Sequence, residues 1–84
     1  MNKVFSEIAW SHYLYWQDED KRILRKINEL LRDIDRNGNA GYGKPEPLKH
    51  ELSGYWSRRI TDIHRLIYSI DIENIYIASC RGHY

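Results

Sequence analysis

Eighty-four residues with nearly balanced charge, 13 Lys+Arg against 12 Asp+Glu, leave room for one small domain over 1–84 and no second module. A chain this short buries only about 60–65% of its unfolded surface, which excludes a deep substrate cavity and places any site at the surface. The single Cys80 excludes an internal disulfide framework, and four scattered histidines form no zinc-ligand pattern. No run approaches the roughly 18 apolar residues of a membrane span, and Met1-Asn2-Lys3 leads into Val4-Phe5-Ser6-Glu7 rather than a signal-peptide core. The expectation is a cytoplasmic protein without membrane, metal or cofactor.

Residues 1–5 suit a short strand, because Ser6-Glu7 reads as a helix N-cap with an acid in the first turn. The spacing predicts a helix over 7–16, with Trp10, Tyr13 and Leu14 at i, i+3 and i+4 as its apolar face. Asp18-Glu19-Asp20 then places acids at the positive end of a second helix. Its stripe is Ile23, Ile27, Leu30, Leu31 and Ile34, and Asn37-Gly38 stops it. The opposite face, with Arg22, Arg25, Lys26, Glu29, Arg32, Asp33 and Arg36, reads as solvated rather than as an RNA-binding face.

Residues 37–54 hold four of the five glycines and both prolines, and so form a long connection. Pro45 and Pro47 fix their own φ and are expected to push Lys44 and Glu46 into extended conformations. Period-two alternation follows over 55–61, 64–70 and 74–81, with linkers short enough for antiparallel hairpins. The order is β-α-α-β-β-β: an α+β domain with two N-terminal helices on one face of an antiparallel-rich sheet and the other face open to a flat substrate such as RNA.

Charge is distributed unevenly. From Lys44 to Arg65 there are five basic residues against three acids, with Tyr55 and Trp56 interleaved, a mixture that can hold phosphates and stack bases. Alternation over 55–61 sends Arg58 and Arg59 to opposite faces, so at most one of them serves a site. Trp10, Trp16, Trp56, Tyr13 and Tyr68 could be base platforms, but in so small a domain large aromatics mainly build the core. Cys80 reads as a small buried hydrophobe.

The segments GKPEPLKHELSGYWSRRITDIHRLIYSI and SCRGHY, with KRILRKINELLRDI and the Tyr13-Leu14-Tyr15-Trp16 helix, resemble the YoeB toxins of the RelE superfamily along nearly the whole chain. The sequence departs from that pattern at 37–40, which lacks an expected proline, and at Gly82, where relatives often carry a larger side chain. The resemblance implies a RelE-type fold and a toxin that cuts translated mRNA in the A site of the 70S ribosome. It also implies neutralisation by a YefM-type antitoxin; the oligomeric state stays open, a homodimer included.

Cleaving RNA without metal needs a base for the ribose 2′-OH, a cation for the phosphorane oxygens and an acid for the leaving 5′-oxygen. The resemblance assigns these roles to Glu46, Arg65 and His83. Tyr84 is placed beside them, and Lys49 and Arg59 are placed on the phosphates. Each residue also has an ordinary explanation: Glu46 as a solvated loop acid, Arg65 as an arginine paired with Glu46 or Asp62, His83 as a frayed tail, and Lys44 and His50 as plain surface. The competing function on the same fold is a gyrase-poisoning toxin that binds a protein partner and cuts no RNA.

Overall fold

Two successive N-caps set the helices. In the computed structural model, which describes residues 1–83, Ser6 Oγ accepts the Ala9 N–H at 3.0 Å and opens α1 (Glu7–Glu19). Asp20 closes that helix through its N–H to the Trp16 carbonyl. Its carboxylate then accepts the Arg22 and Ile23 N–H groups and opens α2 (Lys21–Asn37). Asp18 and Glu19, expected in the second helix, lie instead in the last turn of α1, because Asp20 alone is extended enough to cap. Gly38, at φ 59°, ends α2 by donating its N–H to the Ile34 carbonyl.

The stripe on α2 is buried as its periodicity requires: Ile27, Leu30, Leu31 and Ile34 are core, with Ile23 packed against them. The expected face of α1 is corrected. Its buried side chains are Ala9 and Trp16, whereas Trp10 and Leu14 are exposed and Tyr13 is half-buried. The helix is pinned at both ends to the last strand segment, by Ser6 Oγ on the Ala78 carbonyl at 3.0 Å and by Trp16 Nε1 on the Cys80 carbonyl at 2.9 Å. Those anchors turn the 9/16 side inward. Trp10 and Tyr13 stack on each other, with Phe5 edge-on to both.

The sheet contains β1 (Asn2–Phe5), β2 (Glu46–Pro47), β3 (Trp56–Arg59), β4 (Arg65–Ile70) and β5 (Asn74–Ser79), in spatial order β1-β5-β4-β3-β2. β1 runs parallel to β5, and every other neighbour is antiparallel. The expected order is observed, with the two-residue β2 added inside the long connection. Leu66, Tyr68, Ile75 and Ile77 meet the helices and close the core, together with Trp16 and Cys80.

Three local details differ from expectation for physical reasons. β3 stops at Arg59 because the next residues fold into a turn, in which Ile60 and Thr61 both donate N–H to the His64 carbonyl and Thr61 Oγ1 accepts from Ile63 and His64. Lys44 is not extended: its φ is 50°, in the left-handed region. The Gly43 carbonyl accepts the Arg59 N–H at 2.7 Å, and the chain reverses across Lys44 to lay Glu46 opposite Ser57. Asp33, read as a surface charge, is buried and paired with Arg58.

Arg58 is fully buried on the helix side. Besides Asp33 it donates to the Tyr68 hydroxyl and to the carbonyls of Gly38, Ala40 and Tyr42. One guanidinium thus satisfies three carbonyls of a glycine-rich loop that has no regular partners, and this is how the 38–42 segment is ordered.

Candidate active site

With Arg58 turned toward the helices, strand alternation sends its neighbours Ser57 and Arg59 to the opposite face of the sheet. Register carries the pattern across: Glu46 lies opposite Ser57, and Arg59 lies opposite Arg65. Lys44, Glu46, Ser57, Arg59 and Arg65 accordingly line one small cleft of about 210 Å³. The lining carries three cations and a single carboxylate, an electrostatic environment suited to a polyanion.

Arg65 is oriented by the backbone of the turn that precedes it. One terminal nitrogen donates to the carbonyls of Thr61, Asp62 and His64 at 2.7, 3.3 and 3.1 Å, all within the β3–β4 turn. Among the described residues neither Glu46 nor the Asp62 carboxylate forms an ion pair with it. Among the described residues the carboxylate partner the sequence suggested is thus replaced by backbone carbonyls, which hold one guanidinium nitrogen and carry no net charge.

Glu46 also borders a second, open cleft of about 410 Å³ shared with Pro47, Leu48, Lys49, His50 and Leu52. Lys49 belongs to this neighbouring cleft rather than to the first. His83 is exposed and lines neither. The preceding residue runs beside the start of β4, where the Gly82 carbonyl accepts the Arg65 N–H at 3.0 Å and the Gly82 N–H donates to His64 Nδ1 at 2.8 Å. Tyr84 lies outside the described residues.

Burial, then the charges of Arg81 and His83, hold the His64 imidazole below its ordinary pKa; burial and Arg81 do the same for His12. Burial pushes the Cys80 thiol up to about 12, so it is no nucleophile at neutral pH. A third groove, of about 370 Å³ and bordered by Phe5, Trp10, Tyr13 and Leu31, has no carboxylate in its lining. Among the described residues no three His, Cys, Asp or Glu side chains converge as metal ligands would.

A family model described as the YoeB-like toxin of bacterial type II toxin–antitoxin systems matches residues 5–84. The chain belongs to this YoeB toxin family. It is 57% identical over 84 residues to Toxin YoeB of Escherichia coli (strain K12), all of both chains being covered. The structure of a YoeB dimer from Staphylococcus aureus superposes with TM-score 0.95 at 54% identity, covering 100% of this chain and 98% of that one. A heterotetrameric YoeB–YefM toxin–antitoxin complex from the same organism gives TM-score 0.94 at 54% identity, with the same coverage. The fold anticipated from the YoeB resemblance is the fold observed.

Two cleft residues of this YoeB-family chain went unselected in the sequence: Lys44, read as surface, and Ser57. Ser57 was recoverable from alternation, since it shares a parity with Arg59. Lys44 was not, because its placement depends on a positive φ that no periodicity announces.

Proposed function

We propose that this toxin is an endoribonuclease that cleaves translated mRNA in the ribosomal A site, by attack of a ribose 2′-OH on the adjacent phosphate. The observation that carries this reading is the shared cleft on the open sheet face: one carboxylate, Glu46, set among Lys44, Arg59 and Arg65. Glu46 takes the 2′-OH proton, and Arg65 stabilises the charge that develops on the non-bridging oxygens of the phosphorane. His83 supplies a proton to the leaving 5′-oxygen, assisted by Tyr84. Lys49 and Arg59 hold the flanking phosphates. DNA has no 2′-OH nucleophile, so this chemistry selects RNA.

No step in this scheme requires a metal or cofactor. The ribosome supplies the message in a fixed path, which presents the scissile phosphate to a cleft of only about 210 Å³. Such a substrate places the protein in the cytoplasm. By analogy with the Staphylococcus aureus relatives, the toxin pairs with itself and is held inactive by a YefM-type antitoxin. Mapping 5′ ends on a translated message, with and without ribosomes, tests the reading. Cuts in phase with codons and dependent on ribosomes support it. DNA damage without such cuts supports gyrase poisoning instead.

A further inference from the structure

Beyond Ser79 the chain leaves the sheet, and its backbone polar groups are taken up by side chains and backbone outside β5. The Cys80 N–H donates to His12 Nδ1 at 3.2 Å, and the Cys80 carbonyl accepts from Trp16 Nε1 at 2.9 Å. The Gly82 N–H donates to His64 Nδ1 at 2.8 Å, and the Gly82 carbonyl accepts from the Arg65 N–H at 3.0 Å. Consecutive residues of one turn and strand therefore grip Gly82 by both its donor and its acceptor. A segment past the last strand frays unless tied down, and here the tie falls one residue before His83.

The His64 ring is fixed in its own right. It lies edge-on against the buried Trp16 at 4.8 Å between centroids and 73° between planes. Gly82 sits at φ 79°, a conformation glycine adopts without the cost of a Cβ, so the local chain direction is also set. An Nδ1 that accepts a hydrogen bond from an amide carries no proton, which leaves the proton on Nε2 and the ring neutral.

From this geometry we infer that His64, as the neutral Nε2–H tautomer, is a positioning residue: it holds the Gly82 peptide so that His83 is presented beside Arg65. The inference rests on the acid role given to His83 above. Protonation of His64 would turn its acceptor into a donor and release the tail. The charged groups facing the ring are Arg81 and His83 from the tail, while α1 contributes the uncharged Trp16. Burial and those two positive neighbours all oppose protonation, so the grip persists at neutral pH.

Two substitutions separate positioning from packing. His64→Phe keeps an aromatic ring against Trp16 and deletes the acceptor, whereas His64→Asn keeps an acceptor near the Nδ1 position that does not titrate. Single-turnover cleavage on ribosomes programmed with a defined mRNA is measured for both, beside His83→Ala, from about pH 5 to 8. His64→Phe is expected to lower the maximal rate about tenfold or more with the half-saturating concentration changed less than about twofold. His64→Asn is expected to restore most of the rate and flatten the acid side of the pH profile. A wild-type rate for His64→Phe, with His83→Ala inactive, overturns the inference and leaves the catalytic reading standing. A wild-type rate for His83→Ala overturns that reading and the inference with it. The imidazole ¹⁵N resonances of His64 in the unmodified protein need no variant: an unprotonated Nδ1 beside a protonated Nε2 at neutral pH is the expected pattern, and the reverse tautomer overturns the inference.

Discussion

Arg59 and Arg65 stand directly opposite each other on β3 and β4 and line the same cleft. Like charges in that position repel and weaken a strand pair, and Glu46 is the one carboxylate in the same cleft. Arg59→Gln removes one of the two charges. Its thermal midpoint is expected to be unchanged or higher by roughly 1–5 °C at low salt, with the gain shrinking as salt screens the pair. Cleavage is expected to fall about tenfold or more through lost phosphate binding. Scanning calorimetry at two salt concentrations, beside a cleavage assay, checks both halves.

Arg65→Lys keeps the charge and loses the fork that three turn carbonyls hold in place. An ammonium cannot both satisfy those carbonyls and reach two phosphate oxygens. Single-turnover cleavage is expected to drop by about 10²-fold or more, with circular dichroism and thermal midpoint close to wild type.

Arg58 predicts the opposite signature, stability lost first. Arg58→Ala leaves the Asp33 carboxylate and the carbonyls of Gly38, Ala40 and Tyr42 without their donor in a buried setting. The thermal midpoint is expected to fall by on the order of 10 °C or more. Amide exchange should speed up first over residues 38–43, which this side chain organises.

Histidine burial makes stability depend on pH just below neutrality. His12 and His64 are both held below their ordinary value of 6.5 in the folded chain, chiefly by burial and then by Arg81. The unfolded chain binds these protons more readily, so their contribution is fully present above pH 6.5 and is lost as pH falls through 6.5 toward the folded values. Urea midpoints are therefore expected to decline from neutral pH toward pH about 5, and the His12→Asn/His64→Asn double variant should flatten that slope. Asp33, held below 3.8 chiefly by its Arg58 hydrogen bond, adds a separate loss only in stronger acid.

Cys80 is fully buried, and its thiol is raised to about 12. Alkylation by iodoacetamide at neutral pH is expected to proceed in the folded protein only as fast as the tail opens, and to reach the ordinary thiol rate in denaturant. Mass spectrometry of timed samples measures both rates.

Local signals in the sequence carried much of the fold. Alternation separated Arg58 from Arg59, and the 3.6-residue stripe on α2 named its core side chains, because both patterns depend only on backbone repeat. The buried side of α1 was not legible: Ser6 and Trp16 fix it through the carbonyls of Ala78 and Cys80, more than sixty residues away in the chain. Arg58 was hidden for a similar reason, since its partners are mostly loop carbonyls, which leave no trace in residue identity. In the candidate site, chemistry explains why a carboxylate, a guanidinium and an imidazole suit RNA cleavage, but the resemblance to YoeB toxins is what singled out Glu46, Arg65 and His83. The register of β2, β3 and β4 adds the physical reason Glu46 and Arg65 border one cleft. The hold on the tail by His12, Trp16 and His64 had no sequence signal, because an acceptor nitrogen looks the same as any surface histidine.

Activation of a ribose 2′-OH on ribosome-bound mRNA in the cleft of Glu46 and Arg65, as proposed, requires that this hydroxyl be present at the cut. The most direct measurement uses ribosomes programmed with two otherwise identical messages, one of them carrying a single 2′-deoxy nucleotide on the 5′ side of the mapped cut. Cleavage at that phosphate is expected to disappear for the deoxy message and to persist for the unmodified one, with Glu46→Ala slowing the latter by roughly 10²- to 10⁴-fold. Equal cleavage of both messages would contradict the claim.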